Sequence, residues 1–301
     1  MKSIFVYNPE SGRGKINKYV PYILSELNGA KKFGEVTAVA TTYAGHAHDI
    51  AKDALGKYDY FFVSGGDGTL NEVVNGFGDA ENKPVVGYIP SGTVNDIARS
   101  LGISRNIKKA VKNLVNGEVF EHDTFKVNDR YGIYVCASGL FTKSSYDTER
   151  YKKKKFGKIA YFFKGIKEIK KAKPLPIELV TENETIKKNA GLLLILNSRS
   201  VAGFKLNKKA SLCDGEVEVI IFHSHKKMIT LFDMLKIANA FLFGINPLKK
   251  SNKLVTYRLL NHFNLTVSDG TAINLDGEKS GEGSFAFTVL NKSLKIIAPR
   301  R

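Results

Sequence analysis

Three short stretches concentrate residues able to handle phosphate: "NPESGRGK" (8–15), "SGGDGTLNE" (64–72) and "PSGTVND" (90–96). Each follows an apolar run. Glycine in such turns permits positive φ and lets backbone N–H groups approach an anion closely. A helix that follows adds its positive end. Three such turns at one edge of one sheet make a composite phosphate cradle. Asp67, in the middle of the second turn, is at odds with that role, because a carboxylate repels phosphate. Two resolutions are open. A divalent cation between Asp67 and the phosphates, reached directly or through water, turns repulsion into attraction. Alternatively, Asp67 accepts neighbouring backbone N–H bonds and shapes the turn.

Standard phosphate loops do not fit. A Walker A loop requires Gly, four residues, then Gly-Lys-Ser/Thr. Here Ile16 follows Gly14-Lys15, and Pro9 stands where the first glycine belongs. A dinucleotide fingerprint requires G-x-G-x-x-G with an acid about twenty residues on. Gly66-Asp67-Gly68 is followed by Asn71, and the next strand, "PVVGYI", ends without an acid.

The elements that must position these turns alternate along the first ~120 residues. "SIFVY" (3–7), "EVTAVATT" (35–42), "YFFVS" (60–64) and "PVVGYI" (84–89) read as strands. Helices are expected at 14–27, with Pro21 affecting its start, and at 46–55, 69–77 and 93–101. Such alternation predicts a doubly wound, Rossmann-like α/β unit with a parallel sheet, which binds ligands at the carboxyl ends of its strands. From about residue 119 the texture changes to short strands punctuated by Asn128-Asp129, Asp214-Gly215, Asp269-Gly270 and Asp276-Gly277. A mainly β unit of sandwich type is expected there, interrupted by helices near 157–171 and 226–243. The expected organisation is 1–122 for nucleotide, 123–290 for substrate, and a final strand in 291–301 able to return to the first unit.

Composition fits an ordinary globular chain: 301 residues, 43% hydrophobic and 25% charged. The formal net charge of +17 favours an acidic partner, whether nucleic acid, an anionic membrane or a phosphorylated small molecule. Two distant cysteines, Cys136 and Cys213, give no disulfide framework or zinc spacing, and a reducing cytosol is the default. His223 and His225 share a strand face with no third ligand near. The N-terminal apolar run is too short for a signal peptide, and "LLLIL" (192–196) is too short to span a bilayer.

"GGDGTLNEVVNG" with "PSGTVNDIAR" resembles the diacylglycerol kinase catalytic domain, in its bacterial soluble lipid-kinase group, similar also to sphingosine and ceramide kinases. "NPESG", "GHA" (45–47), "GGDGT", "PSGTVND" and the late "DGE" (276–278) fall in family order over nearly the whole chain. The resemblance implies transfer of the ATP γ-phosphate to a lipid hydroxyl with magnesium. It implies nucleotide contacts at Asn8, Thr41, Gly65, Gly66, Asp67, Gly68, Thr69, Leu70, Asn71 and Thr93. Thr41 is chosen over the adjacent Thr42 by its four-residue distance to Gly45. The resemblance makes Glu278 the general base and places a structural metal at the Asp214 carboxylate with backbone oxygens of Ser211 and Glu216. Phosphoryl transfer is mainly positioning plus charge neutralisation, and a lipid hydroxyl needs a carboxylate to take its proton. Glu278 is preferred for that, and Asp67 is the competing candidate.

"RYKKKKFGKIAYFFKGIKEIKKAK" (150–173) has the signature of a basic amphipathic helix on an anionic membrane. Lysines at 208–209, 226–227 and 249–250 extend the charge. The same pattern also suits a domain helix with solvated lysines. The expectation is a cytoplasmic, peripheral enzyme acting on a membrane lipid, with diacylglycerol the first-choice acceptor. No nucleic-acid module is recognised. A monomer and a homodimer are both left open. An NAD kinase and a non-catalytic lipid or nucleotide sensor are the alternative readings.

Overall fold

The computed structural model describes residues 1–139, 174–224, 230–246 and 254–300. The basic stretch at 150–173, the expected helix near 157–171, His225 and the lysines at 226–227 and 249–250 lie outside the described residues.

Four strands, β1 (Lys2–Tyr7), β2 (Glu35–Ala40), β3 (Tyr60–Gly65) and β4 (Val85–Pro90), pair in parallel in the order β2-β1-β3-β4. Phe61, Phe62 and Val63 are all fully buried, as expected of a parallel strand covered on both faces. Helices α1 (Val20–Gly29), α2 (His46–Ala54), α3 (Asp67–Phe77), α4 (Asp96–Leu101) and α5 (Ile107–Asn116) supply the cover. Each buries one stripe, such as Leu70, Val73, Val74 and Phe77 of α3. α1 starts later than expected because Pro21 takes a first-turn position, where its missing N–H costs nothing; a 3-10 turn at Lys15–Tyr19 precedes it. Gly76 lets α3 lie against α2, since a Cβ there would come within 2.2 Å of the His48 carbonyl oxygen.

The remaining strands are β5 (Glu118–Val127), β6 (Arg130–Gly132), β7 (Val135–Gly139), β8 (Leu175–Val180), β9 (Thr185–Leu196), β10 (Val217–His223), β11 (Val255–Leu260), β12 (His262–Leu275) and β13 (Glu278–Ala298). Apart from one contact they pair antiparallel. β9 and β12 each pair with both β7 and β8, so the sheet curls around a second core that includes Phe125, Phe263 and Phe287. The exception is Ile296 of β13, which pairs in parallel with Val86 of β4 and joins the two sets of strands into one hydrogen-bonded sheet. The stretches "FAFTVL" and "LKIIAP" are therefore one strand, interrupted by an irregularity between Leu290 and Leu294, where Lys292 has φ 52°.

A sixth helix, α6 (Leu231–Phe243), starts at a capping box between Thr230 and Asp233. It buries Met234, Ile237 and Phe241 and leaves Phe232, Leu235, Leu242 and Phe243 exposed. No helix among the described residues is long and apolar enough to cross a membrane.

Candidate active site

Because β1, β3 and β4 are neighbours, the turns that follow them lie side by side, and hydrogen bonds lock them together. Asn8 N–H donates to the Ser64 carbonyl at 2.9 Å. The Gly65 carbonyl accepts from the amides of Ser91 at 2.8 Å and Gly92 at 3.1 Å. Hydroxyls link all three turns, with Ser64 Oγ donating to Ser91 Oγ at 3.2 Å and Ser91 Oγ to Ser11 Oγ at 2.8 Å. Gly66 and Gly92 meet backbone to backbone, since a Cβ on Gly92 would fall 2.5 Å from Gly66 Cα. Gly68, in contrast, faces open space: a Cβ there would meet nothing within 4 Å.

The two helix starts are treated differently. α3 begins at Asp67 after Gly66, and no side chain caps its first amides. α4 is capped from outside, by Asp67. Its carboxylate accepts from Asp96 N–H at 3.0 Å and Ile97 N–H at 3.2 Å. Asp67 therefore turns away from its own helix and leaves the uncapped α3 end for an anion. Burial pushes the Asp67 carboxyl up to about 6; the two amides pull it down, and the neighbouring charge of Asp96 adds to the rise.

Residues expected to touch nucleotide fall into two groups. Thr93 is exposed at the rim, its carbonyl held by Arg105 at 2.9 Å. Thr41 follows β2 and is mostly buried, its N–H bonded to the Tyr7 carbonyl at 2.9 Å. Asn8 uses Oδ1 to accept from Glu10 N–H at 2.9 Å. The Leu70 side chain, by contrast, is fully buried in the core, so only its backbone is placed to serve a ligand. Thr69 packs under Gly65, where a Cβ would meet its side chain at 2.4 Å. Asn71 is buried and donates to Asp276 Oδ2 at 2.8 Å and to the Tyr131 carbonyl at 3.0 Å.

That last contact joins α3 to the late "DGE". Asp276 also accepts from the amides of Ile133 at 2.6 Å, Tyr134 at 3.1 Å and Val135 at 2.9 Å. Burial raises its carboxyl to about 6 against those hydrogen bonds. Glu278, two residues on, is exposed and pairs with Arg130 Nη2 at 3.0 Å. Glu72 of α3 is close enough to Glu278 for its own carboxyl to be raised by that charge, although burial is the larger cause. Glu72 accepts from the amides of Gly45 and Ala47, which gives the "GHA" stretch a positioning role. Glu72 and Arg130 were not singled out in the sequence, because their partners are remote in it.

The residues expected to hold a structural metal lie elsewhere. Asp214 is exposed, and its Oδ1 accepts from Glu216 N–H at 3.3 Å. Ser211 Oγ accepts from Cys213 N–H at 3.4 Å. The loop is anchored by buried Asp123, which accepts from Gly215 N–H at 2.7 Å and Lys292 N–H at 2.6 Å. Among the described residues no three His, Cys, Asp or Glu side chains cluster as a metal site. One carboxylate with carbonyl oxygens is still a donor set for a hard, hydrated cation. Burial raises the Tyr257 hydroxyl, and the charges of Glu218, Asp214 and Glu216 add to the rise.

The chain is similar to known proteins in sequence and in fold. Residues 2–127 match the family described as the diacylglycerol kinase catalytic domain. The chain is 34% identical to a Bacillus subtilis (strain 168) diacylglycerol kinase over 98% of its own length and 95% of the relative's. It is 32% identical to a diacylglycerol kinase of Staphylococcus aureus (strain MRSA252) over 98% and 91%. The chain belongs to the diacylglycerol kinase family. The fold is similar to two crystal structures from Bacillus anthracis str. Sterne. One, assigned provisionally as a diacylglycerol kinase, has TM-score 0.84 at 23% identity and covers 99% of this chain and 95% of that one. The other, described as a diacylglycerol kinase, has TM-score 0.78 at 19% identity over 99% and 96%.

Proposed function

We propose that this protein transfers the γ-phosphate of magnesium-bound ATP to a lipid hydroxyl, most directly that of diacylglycerol, giving phosphatidic acid. One observation carries this reading: the uncapped start of α3 shares an edge with the Gly66–Gly92 contact, and the Asn71–Asp276 bond ties "DGE" to the same helix. On this reading residues 1–122 form a Rossmann-like nucleotide unit, and residues 123–290 form a sandwich-type unit that receives the lipid.

The amides at the start of α3 hold phosphate oxygens, and Gly68 leaves room for their approach. Magnesium, when bound, would supply charge neutralisation for the phosphates, and Asp67 is the residue that would hold it, directly or through water. The lipid oxygen forms a bond to the γ-phosphorus while the bond to ADP breaks, and Glu278 takes the hydroxyl proton. Arg130 orients the Glu278 carboxylate. The 211–216 loop would hold a structural cation, with the Asp214 carboxylate and the backbone oxygens of Ser211 and Glu216 as donors. Docking at an anionic inner membrane face from the cytoplasm brings the lipid to the site, and the +17 net charge and exposed apolar face of α6 support it.

Glu278→Gln tests the base. Turnover should fall by roughly 10²–10⁴-fold, the range for loss of a general base. Affinity for a fluorescent ATP analogue should be unchanged. Near-normal turnover removes Glu278 from that role.

A further inference from the structure

The turn after β2 holds an aromatic ring in water. Tyr43 is 56% exposed, so contacts rather than burial fix it. Its ring stacks on His46, with centroids 4.4 Å apart and planes at 12°. Its hydroxyl donates to Asp49 Oδ2 at 2.7 Å. His46 is held in turn: its Nδ1 accepts from Thr42 N–H at 3.0 Å, and its own N–H donates to the Tyr43 carbonyl at 3.2 Å. An exposed side chain with no such contacts samples several rotamers, and ordering it on binding opposes association. Here the ring is ordered before any ligand arrives.

The ring pair also has a set place beside the glycine-rich turns. Thr41 N–H bonds to the Tyr7 carbonyl at 2.9 Å, and Asn8 N–H to the Ser64 carbonyl at 2.9 Å, so the turns after β2, β1 and β3 form one row. The register agrees, with Tyr7 opposite both Ala40 and Ser64. Two strand spacings separate β2 from β3, about 10 Å. A ribose and its phosphates bridge such a span. Gly45, at φ 88°, turns the chain into α2, and Glu72 of α3 accepts from the amides of Gly45 and Ala47. The ring pair is thus braced against the helix whose first amides no side chain caps.

We propose that the Tyr43–His46 pair is the stacking platform for the nucleobase of the phosphate donor, and that the base is a purine. His46 covers one face of the Tyr43 ring, and the other face takes the base. Every nucleobase has a flat π-face that stacks on an aromatic ring, and a purine offers the larger one. The platform presupposes the nucleotide cradle of the proposed function and adds the residue that holds the end of the nucleotide remote from the transferred phosphate. Tyr43 lies outside the motifs that mark the cradle, because stacking needs a ring and no set spacing.

Calorimetric titration in magnesium compares wild type, Tyr43→Ala and Tyr43→Phe against a non-hydrolysable ATP analogue and against inorganic tripolyphosphate, which has no base. Tyr43→Ala should weaken the ATP analogue roughly 5- to 100-fold, the range for losing one ring-stacked base, and leave tripolyphosphate within about twofold. Tyr43→Phe keeps the ring and loses only the bond to Asp49, so its affinity should lie closer to wild type. In proton NMR the adenine H2 and H8 lines should move upfield on binding to wild type and lose that shift with Tyr43→Ala. Equal affinity of wild type and Tyr43→Ala for the analogue overturns the platform and leaves the cradle standing. A parallel loss for both probes makes Tyr43 a structural prop and overturns the platform too. If wild type binds neither probe, the cradle fails and the platform with it.

Discussion

At the residue scale, the question posed by Asp67 resolves into geometry. Its carboxylate supplies the cap that α4 lacks, and it leaves the α3 amides open. Burial raises its carboxyl to about 6 against the pull of the two amides. The hydrogen-bonding reading is the one observed; the proposed function adds a metal or its water at the carboxylate's remaining lone pairs. Asp67→Asn separates them. The amide oxygen keeps one of the two α4 bonds and the NH2 group cannot accept the other, so stability in urea should fall by about 1–2 kcal/mol. The charge is gone, so magnesium-dependent ATP affinity should fall at least tenfold. Unchanged magnesium dependence with that loss of stability would reduce Asp67 to a cap.

At the element scale, what matters is how closely the turns approach each other. Gly92→Ala forces a Cβ into the 2.5 Å gap at Gly66 Cα and should separate the second and third turns. A strain of about 1–3 kcal/mol is expected, with a larger proportional loss in ATP affinity than in thermal stability. An unaffected affinity would mean that the turns do not act as one cradle. The turns themselves were legible in sequence because glycine marks them directly, and so were the strands before them. Local signals failed where a second constraint decided the outcome. Pro21 moved the start of α1 to Val20. α4 starts at Asp96 instead of Thr93, because Asn95 takes φ 55° and the first amides answer to Asp67. α5 went unread although Asn106 caps it and Ile107, Ala110, Val111 and Leu114 have helical spacing. Arg130 could not be read, since its partner Glu278 is 148 residues away.

At the scale of the whole molecule, β13 spans both regions, pairing with β12, β5 and finally β4. Buried His122 on β5 lies along this seam, its imidazole bonded to the Asp123 carbonyl and its pKa pushed down to about 4 by burial. The folded state holds it neutral, while the unfolded chain protonates near 6.5. Its contribution is therefore present above about pH 6.5 and is lost as pH falls towards 4, by about 3 kcal/mol. Asp67 and Asp276 are raised to about 6 and act in the opposite sense, so the comparison must be with His122→Gln. The stability of wild type relative to that variant should shrink between pH 7 and 4; a constant difference would place a charged imidazole in the fold. The central claim concerns the joined regions acting as one enzyme. It is tested most directly by following labelled γ-phosphate from ATP and magnesium onto mixed anionic vesicles carrying diacylglycerol, a sphingoid base, ceramide or polyprenol, with NAD as a parallel acceptor. Label in phosphatidic acid is the predicted result. Label on NAD, or no transfer to any lipid while ATP remains bound, would contradict it.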